Sequence, residues 1–406
     1  MSDFSYLSNS GIDTIETMYK QYLEAPESVE DSWRRFFEGF SFAQTNFEAK
    51  PSISNNSVPH LGMEKEFRVI ELINGYRQRG HLFTQTNPVR ARRPYFPTMD
   101  LVNFGLSEGD LDSTFEAGRE LGLGKCSLRT IVESLTQTYC QSIGVEYKYI
   151  RKPEMVQWLQ QKMELSRNTP NFTTTEKLNI YNLLKESVGF EQYIHRKFVG
   201  QKRFSLEGAE SLIPALDAVI EYGAELGIQE FILGMSHRGR LNVLVNIMQK
   251  PARNIFDEFL GKRYEEKIVL GDVKYHLGYG NDIVTKRGGK KVRLNLLPNP
   301  SHLETVGALV GGVSRAKLAS QWGGDENLLA PIVIHGDAAV AAQGIVYEIV
   351  QMAQLPGYRT GGTIHIVVNN QVGFTTSYVE ARSSTYCTDI AKVTRCPVFH
   401  VNADDP

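Results

Sequence analysis

The 406-residue sequence lacks the features that mark several large classes of protein. Its four cysteines form no CxxC pair, which argues against a disulfide framework and a zinc ribbon and favours a reducing compartment. No run of about 18 apolar residues occurs, so no membrane-spanning helix is expected. The net charge of -2 provides no bulk attraction to nucleic acid.

Common catalytic and nucleotide-binding motifs are absent too. The sequence has no GxxxxGK[ST], no GxGxxG after a strand, no HExxH and no GxSxG. A P-loop NTPase, a Rossmann dehydrogenase, a zincin and an α/β-hydrolase are therefore disfavoured. The N-terminus has neither a signal-peptide pattern nor an Arg- and Ser-rich transit character, so we expect the cytoplasm of a bacterium.

The length predicts more than one domain, because 406 residues exceed the usual limit of one hydrophobic core. We predict an N-terminal arm over 1–45, a linker over 46–60, a mostly helical domain over 61–185 and an α/β domain over 186–406. Residues 11–24 of the arm have apolar side chains at helical spacing. Two interpretations stay open for the arm: packing on its own chain, or docking of another protein.

The α/β prediction rests on two apolar runs that each end in polar residues. One run, over 331–335, leads to Asp337, and the other, over 363–368, leads to Asn370, with a helix-patterned stretch between them. This pattern is typical of a βαβ unit whose polar tips share one edge of a mainly parallel sheet, where such folds bind ligands. Carboxylate and amide oxygens suit Mg²⁺, which a backbone carbonyl just after Asn370 could also bind. A helix N-cap at Asp337 is the alternative.

Further candidate residues follow another predicted strand, over 230–235. His237 and Arg238 come at its end, and such a pair can orient a carbonyl or carboxylate and bridge phosphate oxygens. Ser301 and His302 follow Pro298-Asn-Pro in a rigid turn that could present both side chains to a ligand.

The other histidines of this half are less distinctive. His276 borders a Gly-rich basic stretch over 270–304, which we interpret either as a cover for an anionic ligand or as a solvated loop. His365 alternates within an apolar strand and is expected to pack, and the role of His335 is left undecided.

Longer motifs show a resemblance to a known family. The motifs are Gly234-Met-Ser-His-Arg-Gly-Arg, Lys274-Tyr-His-Leu-Gly, Asn299-Pro-Ser-His-Leu-Glu, His335-Gly-Asp-Ala-Ala, Asn369-Asn-Gln-Val-Gly-Phe-Thr-Thr and Tyr386-Cys-Thr-Asp-Ile-Ala-Lys. With these motifs and its N-terminal pattern, the chain resembles, over nearly its whole length, the E1 components of 2-oxoglutarate dehydrogenase complexes, which are thiamine diphosphate enzymes.

The resemblance implies roles for individual residues. Mg²⁺ would be held by Asp337, Asn370 and the carbonyl of Val372. The catalytic residues would be His237, His276 and His302, and the substrate would meet His237, His276 and Ser301. Thiamine diphosphate would be lined by Arg238, Ser301, Leu303, Asp337, Ala338, Ala339, Asn370 and Val372.

The resemblance also implies a reaction and partners. The reaction is oxidative decarboxylation of 2-oxoglutarate, with transfer of the succinyl group to a lipoyl domain of E2, in the tricarboxylic acid cycle. The arm would dock E2 and E3, and the full-length form would be a homodimer. The alternatives are a 2-oxoglutarate decarboxylase, a 2-oxoadipate dehydrogenase E1, or a non-catalytic fragment that binds cofactor or E2. Because members of the family continue well beyond a segment like 400–406, we expect a truncated chain whose α/β domain is incomplete and lacks part of the cofactor-activating apparatus.

Overall fold

The computed structural model divides the chain into two compact units, Met1–Met63 and Glu64–Pro406. The predicted linker falls outside the described residues except for its last two positions, which begin a helix. Part of the predicted basic stretch, over 270–275, also lies outside them. The structure describes residues 12–31, 33–38, 59–90, 93–260, 276–373 and 375–406.

Helix α1 (Ile12–Glu24) forms where the helical spacing predicts it. Phe37 is only 2% exposed, because aromatic rings from both parts of the arm surround it. Its ring centroid lies 5.1 Å from that of Tyr19, 5.4 Å from that of Tyr22 and 5.7 Å from that of Trp33. These contacts support the interpretation that this aromatic face packs on its own chain.

The next part of the chain is mostly helical. Its core is a cluster of buried apolar side chains between residues 69 and 163. Thr173 caps the longest helix, because its hydroxyl accepts the N–H of Glu176 while the Glu176 carboxylate accepts the N–H of Thr173. The elements are α2 (Pro59–Arg79), β1 (Thr114–Phe115), β2 (Cys126–Ser127), α3 (Leu128–Tyr139), β3 (Ile143–Glu146), α4 (Pro153–Ser166), α5 (Thr174–Lys197) and α6 (Leu212–Glu225).

From residue 230 onwards strands and helices alternate. The elements are β4 (Glu230–Met235), α7 (Arg240–Asn246), α8 (Ala252–Phe259), β5 (Tyr279–Val284), β6 (Lys291–Leu296), α9 (Thr305–Ser320), β7 (Leu329–Gly336), α10 (Asp337–Ala342), α11 (Gly344–Met352), β8 (Ile364–Val368), β9 (Val372–Gly373), β10 (Thr376–Ser377), α12 (Tyr378–Ala381) and β11 (Val398–Val401).

A five-stranded sheet in the order β5-β6-β4-β7-β8 organises this half of the chain. β6, β4, β7 and β8 run parallel to one another, and β5 pairs antiparallel at the edge. Every residue of β4 is buried, as expected for a central strand covered on both faces. Helix α9 lies very close to β4, since a Cβ added at Gly234 would lie 2.4 Å from a methyl group of Val310. The predicted α/β class with a parallel-rich sheet is confirmed.

The antiparallel pair β3–β11 joins distant parts of the second unit. His400 lies opposite Gly144, and Val398 lies opposite Glu146. The predicted boundary between residues 185 and 186 falls within this unit and stays a prediction. Among the described residues, no helix combines the length and the apolar character that crossing a membrane requires.

Candidate functional site

The carboxyl ends of β4, β6, β7 and β8 meet at one edge of the sheet, because these strands are parallel. β4 leads to His237, β6 to the turn at Ser301, β7 to Asp337 and β8 to Asn370. The structure therefore brings the segments that carry the predicted site residues to a common edge.

Asp337 is the buried centre of this edge. It is the first residue of α10, whose N-cap is Gly336, so the interpretation of Asp337 as the N-cap is wrong. Its side chain is 4% exposed. Burial raises the pKa of this carboxyl above its ordinary value, although Arg382 and the N–H groups of Ala338 and Asn370 act in the opposite direction. The N–H of Asn370 thus ties the end of β8 to the end of β7.

The loop after β8 packs directly against α10. Asn370 Oδ1 accepts the N–H of Val372 at 3.2 Å, and a Cβ added at Gly373 would lie 2.9 Å from Cβ of Ala338. This close approach sets Asn370 and Val372 beside Asp337. The three groups offer a carboxylate, an amide oxygen and a carbonyl, and this all-oxygen donor set fits Mg²⁺.

The same loop is fixed from outside by an amide pair that the sequence did not reveal. Asn87 Nδ2 donates to Gln371 Oε1 at 2.8 Å, and Gln371 Nε2 donates to Asn87 Oδ1 at 2.9 Å. Gln371 has a φ of 63°, a left-handed conformation that a non-glycine residue adopts at a cost. The paired amides hold Gln371 in that conformation and with it the neighbouring Asn370.

His237, Arg238 and His276 form the second part of the edge. The ring of His237 lies 4.0 Å from that of Phe204, centroid to centroid. Burial lowers the pKa of His237, and the nearby Arg238 and His276 add to the effect, so its imidazole is neutral at pH 7. Arg238 Nη1 donates to the carbonyl of Ser205 at 3.3 Å. A neutral imidazole beside a guanidinium suits recognition of a polar, anionic ligand.

Arg240 is a positioning residue that the motif analysis missed. It is completely buried and donates to the carbonyls of Met235 at 3.1 Å, Leu277 at 2.8 Å and Leu297 at 2.7 Å. These carbonyls belong to the end of β4, the residue after His276 and the residue after β6. Arg240 therefore fixes the segments that carry both histidines. Its place at the start of an apolar helix was the only sign in the sequence that it is buried.

The turn between β6 and α9 carries Ser301, His302 and Leu303. Ser301 and His302 are exposed and Leu303 is half-buried. The hydroxyl of Thr305 donates to the carbonyl of His302 at 2.8 Å, which fixes the end of the turn. The turn lies at the predicted edge, and the roles of these three side chains stay predictions.

His335 has a structural explanation that its strand position left open. Its Nδ1 lies 2.5 Å from Glu304 Oε2, and its Nε2 lies 2.9 Å from Nδ1 of His365. His365, expected only to pack, therefore hydrogen-bonds His335. Burial and the neighbouring His335 lower the pKa of His365. The three side chains link the turn before α9 to β7 and β8.

A cavity of about 2210 Å³ opens beside the edge. Arg238, Asn370 and Arg382 contribute to its wall. Its volume exceeds the roughly 300–1,000 Å³ of ordinary small-molecule pockets. Arg238, Asn370 and Arg382 therefore face ample room for a large ligand.

The basic side chains at 286, 287 and 290 of this stretch lie at the opposite edge of the sheet. They belong to the turn of the β5–β6 hairpin, which precedes the start of β6. Glu221 accepts the N–H groups of Lys286 at 2.7 Å and Arg287 at 2.9 Å. Lys286 and Arg287 nevertheless line the same cavity as Arg238, so the interpretation of these residues as a cover for an anionic ligand stays a prediction.

Known proteins share these segments. The family model described as dehydrogenase E1 component matches residues 184–406, which is more than half of the chain. The model described as 2-oxoglutarate dehydrogenase N-terminus matches residues 4–44.

Curated relatives agree with these matches. The chain is 40% identical to the 2-oxoglutarate dehydrogenase E1 component of Cupriavidus necator, over 99% of this chain and 44% of that protein. It is 41% identical to the protein of the same name from Azotobacter vinelandii, over 100% of this chain and 45% of that protein. It is 47% identical to the multifunctional 2-oxoglutarate metabolism enzyme of Mycolicibacterium vanbaalenii, over 84% of this chain and 28% of that protein.

The chain thus spans less than half the length of these relatives. The match that covers the whole sheet and its carboxyl edge shows that the chain belongs to the dehydrogenase E1 component family.

Proposed function

We propose that the chain acts as the E1 component of a 2-oxoglutarate dehydrogenase complex, with thiamine diphosphate and Mg²⁺ as cofactors. The observation that carries the proposal is the buried Asp337 carboxylate, which packs against the Asn370 loop at the carboxyl edge of an E1-family sheet. The names of the relatives from Cupriavidus necator and Azotobacter vinelandii support 2-oxoglutarate as the substrate.

In this proposal the metal is held by the Asp337 carboxylate, the Asn370 amide oxygen and the Val372 carbonyl. The remaining residues that line the cofactor are Arg238, Ser301, Leu303, Ala338 and Ala339. When bound, thiamine diphosphate supplies the electron sink for decarboxylation of a 2-oxo acid.

The histidines of the edge would bind the substrate. Neutral His237 can hydrogen-bond a carbonyl or carboxylate oxygen without adding charge, and Arg238 supplies positive charge beside it. His276 and Ser301 would complete the contacts with 2-oxoglutarate, and His302 would assist near the reacting carbon. Arg240 holds His237 and His276 in place through the backbone and takes no part in the chemistry.

The partners follow from the same proposal. The succinyl group would pass to a lipoyl domain of E2, and residues 1–45 would dock E2 and E3, in agreement with the N-terminal family match. The protein would work as a homodimer in the bacterial cytoplasm.

The first test is Asp337→Asn, which removes the charge of the metal ligand with little change in shape. We expect Mg²⁺-dependent binding of thiamine diphosphate to weaken by at least about 100-fold, measured by isothermal titration calorimetry. Asp110→Asn is the matched control, since Asp110 is also buried, accepts from the hydroxyl of Ser107 at 2.8 Å and does not line the cavity. Equal affinities for Asp337→Asn and the unsubstituted chain would refute the metal assignment.

The reaction is tested by two assays on one preparation. CO₂ release from 2-oxoglutarate with an artificial acceptor measures decarboxylation, and acyl transfer to a lipoyl domain measures the full E1 reaction. Release without transfer would favour the decarboxylase alternative, which the similarity to a multifunctional 2-oxoglutarate enzyme keeps open. Preference for 2-oxoadipate would contradict the proposed substrate.

A further inference from the structure

Arg382, just after α12, is a buried cation without a complete partner. Its side chain is 10% exposed, and its Nη1 lies 3.9 Å from Oδ2 of Asp337. Its Nε is buried and makes no hydrogen bond. A well-formed pair between arginine and a carboxylate has N–O distances of about 2.7–2.9 Å, so this contact leaves the charge of Arg382 poorly satisfied.

The guanidinium is nevertheless held in place. Its Cζ lies 5.6 Å from the ring centroid of Tyr378, and Cζ of Arg93 lies 5.3 Å from the same centroid. Stacking of this kind fixes the plane of a guanidinium and leaves its N–H groups available. Arg382 is thus presented beside Asp337 with unused donor capacity.

A second unsatisfied donor lies in the same segment. Thr388 Oγ1 is buried without a hydrogen-bond partner. Thr388 belongs to the 3-10 helix Cys387–Val393, which packs against α10 where Cys387 and Val340 share an apolar cluster. Arg382 and Thr388 both line the cavity, so a ligand bound there can provide the acceptor that each of these buried groups lacks.

The position of Arg382 has a consequence for metal binding. A divalent cation bound by Asp337 would lie close to the guanidinium, and two cations at such a distance repel each other in a partly buried site. An anionic oxygen between them reverses the effect, because it is attracted by both.

We propose that Arg382 makes the metal and an anionic ligand bind as one unit: its guanidinium disfavours Mg²⁺ alone, and it donates a hydrogen bond to the phosphate or carboxylate oxygen when that anion is present. The inference rests on the proposed function, since it takes Asp337 as the metal ligand. Thr388 would donate to the same anionic group.

The decisive variant is Arg382→Gln, because its two expected effects have opposite signs. Mn²⁺, which takes the same oxygen ligands and is visible by electron paramagnetic resonance, should bind several-fold more tightly when supplied alone. Whichever of thiamine diphosphate and 2-oxoglutarate supplies the anionic oxygen should bind about tenfold more weakly in saturating Mg²⁺, because a charge-assisted hydrogen bond is lost. Arg382→Lys keeps the charge and should restore the weak binding of Mn²⁺ alone.

A second titration identifies whether thiamine diphosphate or 2-oxoglutarate supplies the anionic oxygen. If 2-oxoglutarate in saturating Mg²⁺ loses affinity in Arg382→Gln while thiamine diphosphate does not, the acceptor is a carboxylate; the reverse result identifies the diphosphate. Arg359→Gln is the matched control, since Arg359 is 57% exposed and paired with Glu326 at 2.7 Å. It should change neither affinity.

Effects of the same sign, or no effect, in Arg382→Gln would overturn the inference. Circular dichroism and the thermal midpoint show whether each variant is folded. If Arg382→Gln does not fold, the affinities of Arg382→Lys for Mn²⁺ and for the anionic ligand are compared instead. Asp337→Asn separates the two levels of the argument. If Asp337→Asn bound Mn²⁺ as tightly as the unsubstituted chain, the proposed metal site itself would be refuted. If Asp337→Asn lost Mn²⁺ binding while Arg382→Gln kept the Mn²⁺ and anion affinities of the unsubstituted chain, only the role of Arg382 would be refuted.

Discussion

The amino and carboxyl edges of the central sheet both carry buried carboxylates beside cationic side chains, and they differ in how completely those charges are paired. At the amino edge Glu230 accepts from Lys317 at 2.6 Å and from the indole of Trp322 at 3.1 Å. At the carboxyl edge Asp337 lies 3.9 Å from Arg382. Since an unpaired buried charge costs stability, the long distance between Asp337 and Arg382 agrees with the ligand proposed for the carboxyl edge.

Arg240 provides the strongest test of this comparison, because it is a well-bonded cation at the carboxyl edge. Arg240→Met should lower the free energy of unfolding by about 3–5 kcal/mol, since three buried carbonyls lose their donor. Urea unfolding followed by circular dichroism measures the loss.

The control for Arg240 lies two residues earlier. Arg238→Met should leave the urea midpoint nearly unchanged and weaken binding of thiamine diphosphate, because Arg238 makes a single long hydrogen bond to the chain and lines the cavity. If Arg240→Met and Arg238→Met lost equal stability, the number of hydrogen bonds that an arginine makes to the chain would not distinguish structural from ligand-binding cations at this edge.

Glu146 extends the comparison to a paired carboxylate away from both edges. It accepts from Lys392 at 2.7 Å and His400 at 2.9 Å. Burial opposes ionisation, yet these bonds lower the pKa of Glu146 to about 2 from its ordinary 4.5. Glu146→Gln should cost about 3 kcal/mol at pH 7, because it breaks a buried ion pair.

The pH dependence of that loss follows from the sign of the shift. A lowered folded-state pKa stabilises the fold fully above the unfolded value, and the contribution disappears as the pH falls from 4.5 towards 2. The difference in urea midpoint between the unsubstituted chain and Glu146→Gln should therefore shrink over this window. A difference that stayed constant down to pH 2 would contradict the assignment.

The smallest effects are expected at the amino edge. Glu221→Gln should cost about 1–2 kcal/mol, because one of two backbone N–H groups loses a charged acceptor. Arg287→Gln should leave the thermal midpoint nearly unchanged, since Arg287 is 44% exposed and its ion pairs are screened. Thermal unfolding measures both, and neither variant should alter binding of thiamine diphosphate. A loss of cofactor affinity in either would mean that the amino edge also serves the ligand.

The carboxyl edge could be predicted because short, continuous segments of the sequence indicate its strands and their polar ends. The apolar runs before Asp337 and Asn370 give strand identity, and the parallel arrangement then brings their polar ends together. The helix start at Asp337 was placed one residue too late, since an aspartate suits both the N-cap and the first turn of a helix.

The remaining features depend on partners far away in the chain. His335 is explained by Glu304 and His365, and Arg382 by Asp337, and no periodicity relates such residues. The edge at which the basic hairpin turn lies depends on the direction of β6, which follows from its register with β4. Charge and spacing alone could not decide between a ligand cover and a solvated turn.

The pairing of β3 with β11 has a consequence during synthesis. About 250 residues separate the two strands, so β3 leaves the ribosome roughly 12 to 50 s before its partner exists, at 5–20 residues per second. Throughout that interval the unpaired backbone N–H and C=O groups of β3 can form hydrogen bonds with strands of other nascent chains. The cell must therefore protect this short segment, by chaperones or by transient local structure, for longer than most of the helices need to fold.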